Sequence, residues 1–555
     1  MQYSYEDWTG QNQGVGGQAL AAAGYSGRYH EDDFVAHADS TLSAVTLNQI
    51  SLVGEHWSNR NQNAVEGSRI SLPGDFLSGS AQSDAFATEY NFRFSDVVTW
   101  AHGRNLVKWG ASVPHLSRRA YDDQTNELGT YTFAPTLAAD GVTVLQTAFQ
   151  NYAANLPAAF SQNTGDTHFI YHQQEMGAFV QDQIKINGRL AITPGLRYDW
   201  ENFLATRRLG FSPRVSFAWV IDQQSKTVLR GGGGIYYDRF GGGPLLDLER
   251  YQSARRRSVI LSLDPATMPA SGCVPITNTN CVVLTAQPPA LVQLQPNAKI
   301  PYQVHYGLSV ERQLGQRATG TVSVYSMRGV DMFRSIDINA PTAQSGYTLR
   351  PDPSYGRIRQ MQPEGIYKGN GLDVSYRGMW NKYFTGFGRY TWAHYESNTG
   401  GIGWFPQNQL DPEEEWSNSG YDRRQRMGMY AIFNQKSLLN LSTGVFANSG
   451  SPWTELTGTD PYGDGLFNAR PDGIGRNSET GPGYVDLDLR WSHDFAITSN
   501  KDDEAPHLGF SASSFNLLNH VNGQGIDSVE TSPSFGQITS AAPPRRIQLA
   551  MRFEF

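Results

Sequence analysis

Oxygen-bearing side chains recur at a spacing of four residues in one polar segment near the C-terminal end of the chain. Asp460, Asp464 and Asn468 stand at positions 1, 5 and 9 of a calcium-loop pattern, and Gly465 stands at position 6. The pattern fails at position 3, which is a Tyr, and at position 12, which is a Pro. The segment therefore predicts either a calcium-binding external loop or a turn-rich loop whose Asp and Asn side chains satisfy their own backbone.

Other residue types that carry chemistry do not form catalytic patterns. The 12 histidines show no HxxxH or HExxH spacing. His30 and His37 lie seven residues apart with acids between them, which favours lumen-facing polar side chains over a metal site. No GxSxG is present, and glycines 231–234 are not followed by GK[ST]. We therefore expect no enzyme activity and no other cofactor, and we interpret the glycine run as a strand that curves or admits close approach of an internal element.

Two cysteines, Cys273 and Cys281, bracket the segment VPITNTN. The segment is typical of a loop, and a local disulfide is expected if the loop faces an oxidising compartment. The formal net charge is −8, and arginines 255–257 form an isolated basic cluster. Such a cluster is typical of a solvated loop or a lipid-headgroup contact, so nucleic acid is not an expected partner.

The elements that must position these residues are strands with a period of two. Leu372, Val374 and Tyr376 alternate with polar residues, and residues 485–491 repeat the pattern with an aromatic residue at the strand end. Aromatic residues make up 12% of the chain and charged residues 17%, against about 25% charged residues in an average soluble protein. No stretch approaches the roughly 18 consecutive apolar residues of a transmembrane helix. The sequence predicts an all-β fold, a large transmembrane antiparallel β-barrel with about 16–18 strands in this chain.

The connections between the strand candidates come in two sizes. Three short ones are residues 187–188, 222–226 and 314–317. Three long ones, rich in Gly, Pro and Asn, are residues 239–300, 396–421 and 450–482. Outer-membrane barrels combine short periplasmic turns with long external loops. Four loop aromatics predict interface anchoring or loop packing, with ligand stacking as the alternative: Trp404, Phe405, Trp416 and Tyr421.

The C-terminal residues give the sharpest pattern in the chain. Five apolar residues share one face of a terminal strand: Ile547, Leu549, Met551, Phe553 and Phe555. Exposed Phe and Met on an edge strand would promote aggregation in a soluble protein, whereas in a membrane barrel this face meets lipid. The pattern predicts a membrane-insertion signal and resembles the signal that the outer-membrane assembly machinery reads. An ordinary edge strand is the alternative.

Seven stretches spread over nearly the whole chain carry a further resemblance. They are residues 3–17 (YSYEDWTGQNQGVGG), 177–200 (GAFVQDQIKINGRLAITPGLRYDW), 211–220 (FSPRVSFAWV), 227–240 (TVLRGGGGIYYDRF), 476–490 (RNSETGPGYVDLDLR), 515–522 (FNLLNHVN) and 535–555 (FGQITSAAPPRRIQLAMRFEF). In this order they resemble the TonB-dependent receptors of the Oar-like, acidobacterial-type family. The resemblance implies uptake of a large or scarce nutrient across the cell outer membrane. The implied partners are outer-membrane lipids, the assembly machinery and a nutrient that remains to be identified.

The sequence also departs from that family. A signal peptide, a TonB box and a plug are expected in family members, and none of them is recognisable here. A complete barrel of the family has about 22 strands. The resemblance therefore implies that residues 1–555 form one outer-membrane barrel domain that is partial at its N-terminal side. Contact with the TonB system would then need a plug that this sequence does not supply.

Two other functions remain open on the sequence. A passive porin of about 16–18 strands would have no plug, but its sequence patterns do not match the seven stretches above. A soluble secreted β protein, such as a propeller or a carbohydrate-binding repeat, would show a repeat of about 40–50 residues. No such repeat is found in the sequence, which argues against this third function.

Deletion of Phe555 should impair assembly more than stability, because the residue completes the aromatic register with Phe553 that is read during insertion. The measurement is the amount of heat-modifiable, folded barrel in the outer membrane. A normal amount of folded barrel after the deletion would show that the terminal Phe is not part of an insertion signal.

Overall fold

The computed structural model describes residues 1–138, 144–204, 210–224, 226–251, 256–263, 283–435, 439–497 and 506–554 of the chain. Within these residues, one sheet of twenty strands dominates the fold. Two of its strands, Leu291–Leu294 and Ser417–Asn418, are short additions. The remaining eighteen are the long strands of a barrel wall, and we label them β1 to β18 in chain order.

The first nine wall strands are β1 (Gln2–Gln13), β2 (Tyr25–Ser43), β3 (Thr46–Asn63), β4 (Ala85–His102), β5 (Asn105–Asp122), β6 (His168–Lys185), β7 (Leu190–Glu201), β8 (Phe211–Val220) and β9 (Thr227–Tyr237). The last nine are β10 (Tyr302–Leu314), β11 (Ala318–Asp337), β12 (Ile358–Met379), β13 (Phe384–Ser397), β14 (Gln425–Gln435), β15 (Leu439–Asn448), β16 (Tyr484–Ala496), β17 (His507–Phe515) and β18 (Arg546–Glu554).

Each wall strand pairs antiparallel with the next one along the chain. The meander is unbroken from β1–β2 through β5–β6 and β9–β10 to β17–β18. The eighteen wall strands of the described chain fall within the predicted range, and the predicted all-β barrel class is confirmed. Within the described residues, β1 pairs only with β2 and β18 pairs only with β17. One edge of each of these two strands therefore lacks a strand partner in the described part of the chain.

The strand registers sort the side chains of the wall into two faces. Directly paired residues lie on the same face of a sheet. One continuous row of paired residues crosses ten strands and is apolar throughout: Leu190, Trp219, Leu229, Val310, Val322, Val374, Tyr390, Met427, Ala447 and Val485. The row beside it contains Ser309, Ser323, Asp373, Thr391 and Arg426. We therefore assign the first face to lipid and the second face to the lumen.

The two ends of the wall differ in the length of their connections. At one end the strands turn within a few residues, as at residues 44–45 between β2 and β3 and residues 103–104 between β4 and β5. At the other end the connections are long, as at residues 338–357, 398–424 and 449–483. We call these the turn end and the loop end. The predicted division into short turns and long loops is therefore observed, and the side chain of Asn187 receives the backbone N–H groups of Arg189 and Leu190 in one short turn.

The long connections contain further structure. Three of them supply a second sheet, whose strands in spatial order are Val283–Gln287, Arg256–Leu263, Ala159–Gly165, Thr130–Thr132, Arg69–Leu72 and Phe76–Ser78. Three small pairs join Thr136–Leu137 with Val144–Gln146, Pro452–Trp453 with Glu479–Thr480, and Gly523–Ile526 with Ile538–Ala541. The helices of the described residues are α1 (Ala148–Ala153) and α2 (Gly242–Tyr251), with 3₁₀ turns at Ala21–Ala23, Ala343–Ser345 and Pro412–Glu415. No helix in the described residues is long and apolar enough to cross a membrane.

A hydrophobic core lies at the loop end, on the lumen side of the wall. Phe240 and Leu245, which belong to the connection around α2, are fully buried together with Met361 of β12. They belong to the same cluster as Phe169 and Tyr171, two lumen-facing residues of β6. Burial of this apolar surface fixes the long connection against the inner wall, so the mouth of the barrel is narrowed by folded structure.

Val324→Arg should destabilise the barrel, whereas Ser323→Arg should be nearly silent. Val324 is 49% exposed on the lipid face beside Leu308, and an Arg there costs about 2–4 kcal/mol near the bilayer midplane. Ser323 lies one residue away on the lumen face, opposite Asp373 of β12. The measurement is the free energy of unfolding in lipid vesicles by denaturant titration. Equal losses for the two variants would contradict the assignment of the faces.

Candidate functional site

A groove runs along the lumen face where β6 to β11 lie side by side. A cavity of about 510 Å³ forms its centre. Four glycines from three strands form its floor: Gly195, Gly232, Gly234 and Gly307. Three of them border the cavity directly, and Gly234 pairs with Arg214 beside it. Since these positions carry no side chain, the wall is recessed there and larger side chains surround the recess. We call this feature the inner-wall groove.

Close packing between strands requires glycine at these positions. A Cβ on Gly232 would lie 2.8 Å from the carbonyl oxygen of Val215, and a Cβ on Gly234 would lie 2.7 Å from Cγ of Arg214. Either contact would force the neighbouring strand to shift. The sequence predicts that the glycine run permits curvature or close approach of an internal element, and this stays a prediction. The observed close contacts are with the neighbouring wall strand.

Two polar groups in the inner-wall groove lack hydrogen-bond partners. Nε of Arg214 and Nε2 of His305 are both buried and unpartnered in the described structure. The Arg214 guanidinium carbon lies 4.2 Å from the centroid of the Tyr236 ring. The His305 ring meets the rings of Tyr236 and Tyr325 edge to face, at 6.2 and 6.4 Å. Both side chains also border the cavity, so the groove presents an Arg and a His to an occupant of the lumen.

The charges around the groove are unequally balanced. Arg197 is neutralised by Asp199, with Nη2 and Oδ1 2.6 Å apart. Arg214 has no carboxylate within 4.0 Å among the described residues. Toward the loop end, the lumen face carries the acidic residue Glu175. Its carboxylate accepts a hydrogen bond from Gln173 and lies 3.2 Å from Nε of Arg239. An anionic or oxygen-rich group would therefore meet its strongest unsatisfied donor at Arg214.

A buried ion network locks two long loops together at the loop end. Glu415 is 1% exposed and lies 2.8 Å from Nη1 of Arg470 and 3.7 Å from Nε of Arg476, both of which are also buried. Burial lowers the pKa of Arg476, and the Glu415 carboxylate opposes that shift. The Arg476 side chain also donates to the Ser397 and Glu415 carbonyl oxygens. Residues 398–424 and 449–483 therefore form one folded cover over the lumen.

The residues of the predicted calcium loop are all engaged with the protein. Asp460 accepts the backbone N–H groups of Asp464 and Gly465. Asp464 accepts from Gln409, and burial raises its pKa. The amide of Asn468 donates to the carbonyl oxygens of Phe405 and Pro406. Calcium binding here stays a prediction, and an ion would have to compete with the protein donors that these oxygen atoms already accept from.

The other predicted site residues are placed as follows. Cys273, Cys281 and Phe555 lie outside the described residues, so the disulfide and the terminal Phe stay predictions. The remaining residues of the insertion signal share one face of β18 and are 56–78% exposed: Ile547, Leu549, Met551 and Phe553. This exposure fits a lipid-facing edge, and their role as an insertion signal stays a prediction.

Three of the four loop aromatics pack against cations of the protein. Trp404 lies under Arg476, Phe405 under Arg357 and Trp416 under Lys368, with the cation 5.1–5.3 Å from the ring centroid. Loop packing is thus the observed contact of these three residues. Tyr421 differs, since it is 83% exposed and borders the same depression as Trp404.

The histidines at positions 30 and 37 lie on opposite faces of β2. His37 is on the lumen face, as expected, whereas His30 is on the face that carries Phe34 and Ala36. The expectation of a lumen-facing polar residue is therefore wrong for His30. Successive residues of a strand point to opposite faces. Two residues that are an odd number apart, such as these two histidines with a spacing of seven, therefore lie on opposite faces.

The match to a family model agrees with this architecture. The model for the outer membrane beta barrel domain matches residues 20–208, 201–436 and 443–548. The chain belongs to this family. It is an outer-membrane barrel, and the lipid face defined by the strand registers is the surface that contacts the outer membrane. No match was found among curated protein sequences.

Solved structures of outer-membrane proteins show the same fold. The outer membrane transporter YddB from Escherichia coli is 12% identical, with a TM-score of 0.66 over 100% of this chain and 66% of that one. A variant of the ferric enterobactin receptor PfeA from Pseudomonas aeruginosa is 12% identical, with a TM-score of 0.57 over 95% and 62%. The siderophore receptor PirA from Acinetobacter baumannii is 11% identical, with a TM-score of 0.52 over 96% and 62%. The chain thus spans slightly less than two thirds of these proteins.

Glu415→Gln should loosen the cover at the loop end, because it leaves Arg470 and Arg476 buried without a countercharge. Breaking a buried ion pair costs about 3–5 kcal/mol. The expected result is faster hydrogen exchange and faster protease cleavage in residues 398–424. Glu414→Gln is the matched control, since Glu414 is exposed. Unchanged exchange in the Glu415 variant would show that the ion network does not hold the loops.

Proposed function

We propose that this chain is the barrel wall of a TonB-dependent receptor that takes up a large or scarce nutrient across the outer membrane. The observation that carries the proposal is the inner-wall groove, a recess in the lumen face that Arg214 and His305 border. Among the described residues, no carboxylate lies within 4.0 Å of Arg214, so its charge is uncompensated there. An occupant of the lumen, whether a plug or a nutrient, would supply an anionic or oxygen-rich partner for it.

Further support comes from the loop end. The interlocked connections and the hydrophobic core around Phe240 narrow the mouth of the barrel. A narrowed mouth suits selective capture of a ligand better than free diffusion. The Oar-like assignment rests on the seven sequence stretches and remains part of the proposal. Coupling to the TonB system through a plug is likewise proposed, and the reaction would be transport without covalent chemistry.

Ferric siderophores are the first substrate class to test. PfeA is described as a ferric enterobactin receptor and PirA as a siderophore receptor. Such ligands carry many oxygen atoms, which match the donors of the groove. The substrate experiment is growth on limiting iron with a panel of ferric siderophores, in cells that lack their own receptors.

Arg214→Gln should reduce uptake strongly, whereas Arg230→Gln should change it little. A lost charge-assisted hydrogen bond costs about 1.5–3 kcal/mol, or about 10-fold to 100-fold in affinity. Arg230 also faces the lumen, but its side chain is 52% exposed and lies 4.0 Å from Glu311. The measurement is accumulation of a labelled substrate, with and without an uncoupler of the proton-motive force. Uncoupler-insensitive uptake, or equal losses in both variants, would contradict the proposal.

A passive porin is the second candidate function. The eighteen wall strands in the described residues match the 16–18 strands typical of porins. Planar-bilayer recordings distinguish the two functions. A porin conducts steadily, and its expression raises vancomycin sensitivity only if the pore is wide. A receptor whose lumen is filled stays closed in both assays, so steady conductance of the assembled protein would favour the porin.

A further inference from the structure

A cluster of two imidazoles and a carboxylate lies on the face of the barrel that is opposite to the inner-wall groove. Asp32 of β2 is directly paired with His56 of β3, and His30 lies two residues from Asp32 on the same face. Nε2 of His30 is 2.6 Å from Oδ2 of Asp32, and Nδ1 of His56 is 3.6 Å from the same oxygen. Among the described residues, this is the only group of three or more His, Cys, Asp or Glu side chains whose ligand atoms all lie within 4.8 Å of one another.

The hydrogen bonds around His56 favour one tautomer. The Thr88 hydroxyl donates to the carbonyl oxygen of Trp57 at 2.8 Å. With its proton used there, the Thr88 oxygen can accept a hydrogen bond from Nε2 of His56 at 3.3 Å. In that tautomer Nδ1 of His56 is an acceptor, 3.6 Å from Oδ2 of Asp32. A cation can bridge two acceptors that face each other in this way.

The remaining contacts hold the cluster in position. The Tyr3 hydroxyl of β1 donates to Oδ1 of Asp32 at 2.5 Å, which leaves Oδ2 for the two imidazoles. The Tyr90 ring stacks on His56 at 4.3 Å, and the Tyr5 ring meets His30 edge to face at 5.2 Å. Partners of this kind orient metal ligands and fix their tautomers.

The height of the cluster on the wall makes it accessible from outside. A strand crosses the hydrocarbon in about 9–11 residues. Counted from Ser43 at the turn end of β2, such a length ends close to Asp33, so Asp32 and His30 lie at or beyond the interface on the loop side. The three side chains are 26–31% exposed. An ion in the external medium can therefore reach them without crossing lipid.

We propose that His30, Asp32 and His56 form a binding site for a divalent transition-metal ion of the zinc type on the outer face of the barrel. Tetrahedral zinc, with bonds of about 2.0–2.2 Å, separates its ligand atoms by about 3.3–3.6 Å. The His56 to Asp32 distance already matches this separation, and His30 must move outward by about 1 Å. Two imidazole ligands favour zinc, copper or nickel over calcium or magnesium. A fourth position stays open to water.

Metal binding would tie three strands together at an exposed edge. The ion links β2 to β3, and the Tyr3 hydroxyl links β1 to the same carboxylate. In the described residues, β1 has no strand partner other than β2. The site would therefore slow the opening of β1, an effect separate from transport through the lumen.

The experiment is zinc titration of the full chain, purified without a polyhistidine tag from outer membranes in detergent and stripped with a chelator. Calorimetry should show one zinc ion per chain, and cobalt should give the visible absorption of a four-coordinate ion that zinc abolishes. Asp32→Asn and His56→Asn should each weaken zinc binding by at least about 10-fold. Zinc should also slow hydrogen exchange in β1 of the parent protein only.

His37→Asn is the matched control, because His37 and Asp39 form a similar pair, with Nε2 and Oδ2 3.1 Å apart, on the lumen face of the same strand. This variant should bind zinc like the parent. Heat-modifiable migration verifies that each variant is folded, and His30→Asn replaces any variant that is not. Equal zinc binding by the parent and the folded His56 variant would overturn the proposal. Equal weakening by His37→Asn, or equal competition by calcium, would overturn it as well.

Discussion

Satisfaction of the backbone in hydrocarbon is the constraint on which the rest of this molecule depends. A membrane-spanning strand cannot leave its N–H and C=O groups unpaired, since each unpaired group costs several kcal/mol. Antiparallel ladders between consecutive strands meet this constraint from β1 to β18, except at the outer edges of β1 and β18, which have no strand partner in the described residues. The registers of these ladders also decide which side chains meet lipid. A shift of one residue between β11 and β12 would move Asp373 from the lumen to the lipid face.

The inner-wall groove is a by-product of the same ladders. Successive residues of a strand point to opposite faces, so a run of four glycines removes side chains from both faces at once. On the lipid face, the space at Gly231 is taken by the Phe217 ring and Leu308. On the lumen face, the space at Gly232 stays open and becomes part of the groove. One sequence feature thus tightens the packing outside the wall and creates a recess inside it.

The fold could be predicted further than the sites, and the difference has a physical origin. Alternation of apolar and polar residues is local to one strand. The faces of Leu372, Asp373 and Val374 can therefore be predicted without knowing which strands lie beside them. The strand number and the two sizes of connection follow from the same local signal. Partners across strands depend on register, which a single sequence does not show. His30 and His56 are 26 residues apart in the chain and become neighbours only through the β2–β3 ladder.

The same limit applies to the groove and the loops. The glycine run was visible in the sequence, but its position opposite Arg214 and His305 depends on two ladders. Glu415 and Arg476 come together because two long loops fold over one another, and no periodicity encodes such a contact. The calcium-loop pattern is different, because its spacing can be read from one segment of the sequence. Its polar side chains are nevertheless hydrogen-bonded to residues of another loop, namely Gln409 and the carbonyl oxygen of Phe405.

The ion network of Glu415, Arg470 and Arg476 has a consequence for the order of folding. Charged loop residues must cross the bilayer before they can meet on its far side, and at that stage they are unpaired and hydrated. The network can therefore form only once both loops have reached the same side of the membrane. A unit that is held by its own side-chain contacts can open locally, without global unfolding. The cover can consequently open and close while every backbone ladder below it stays paired.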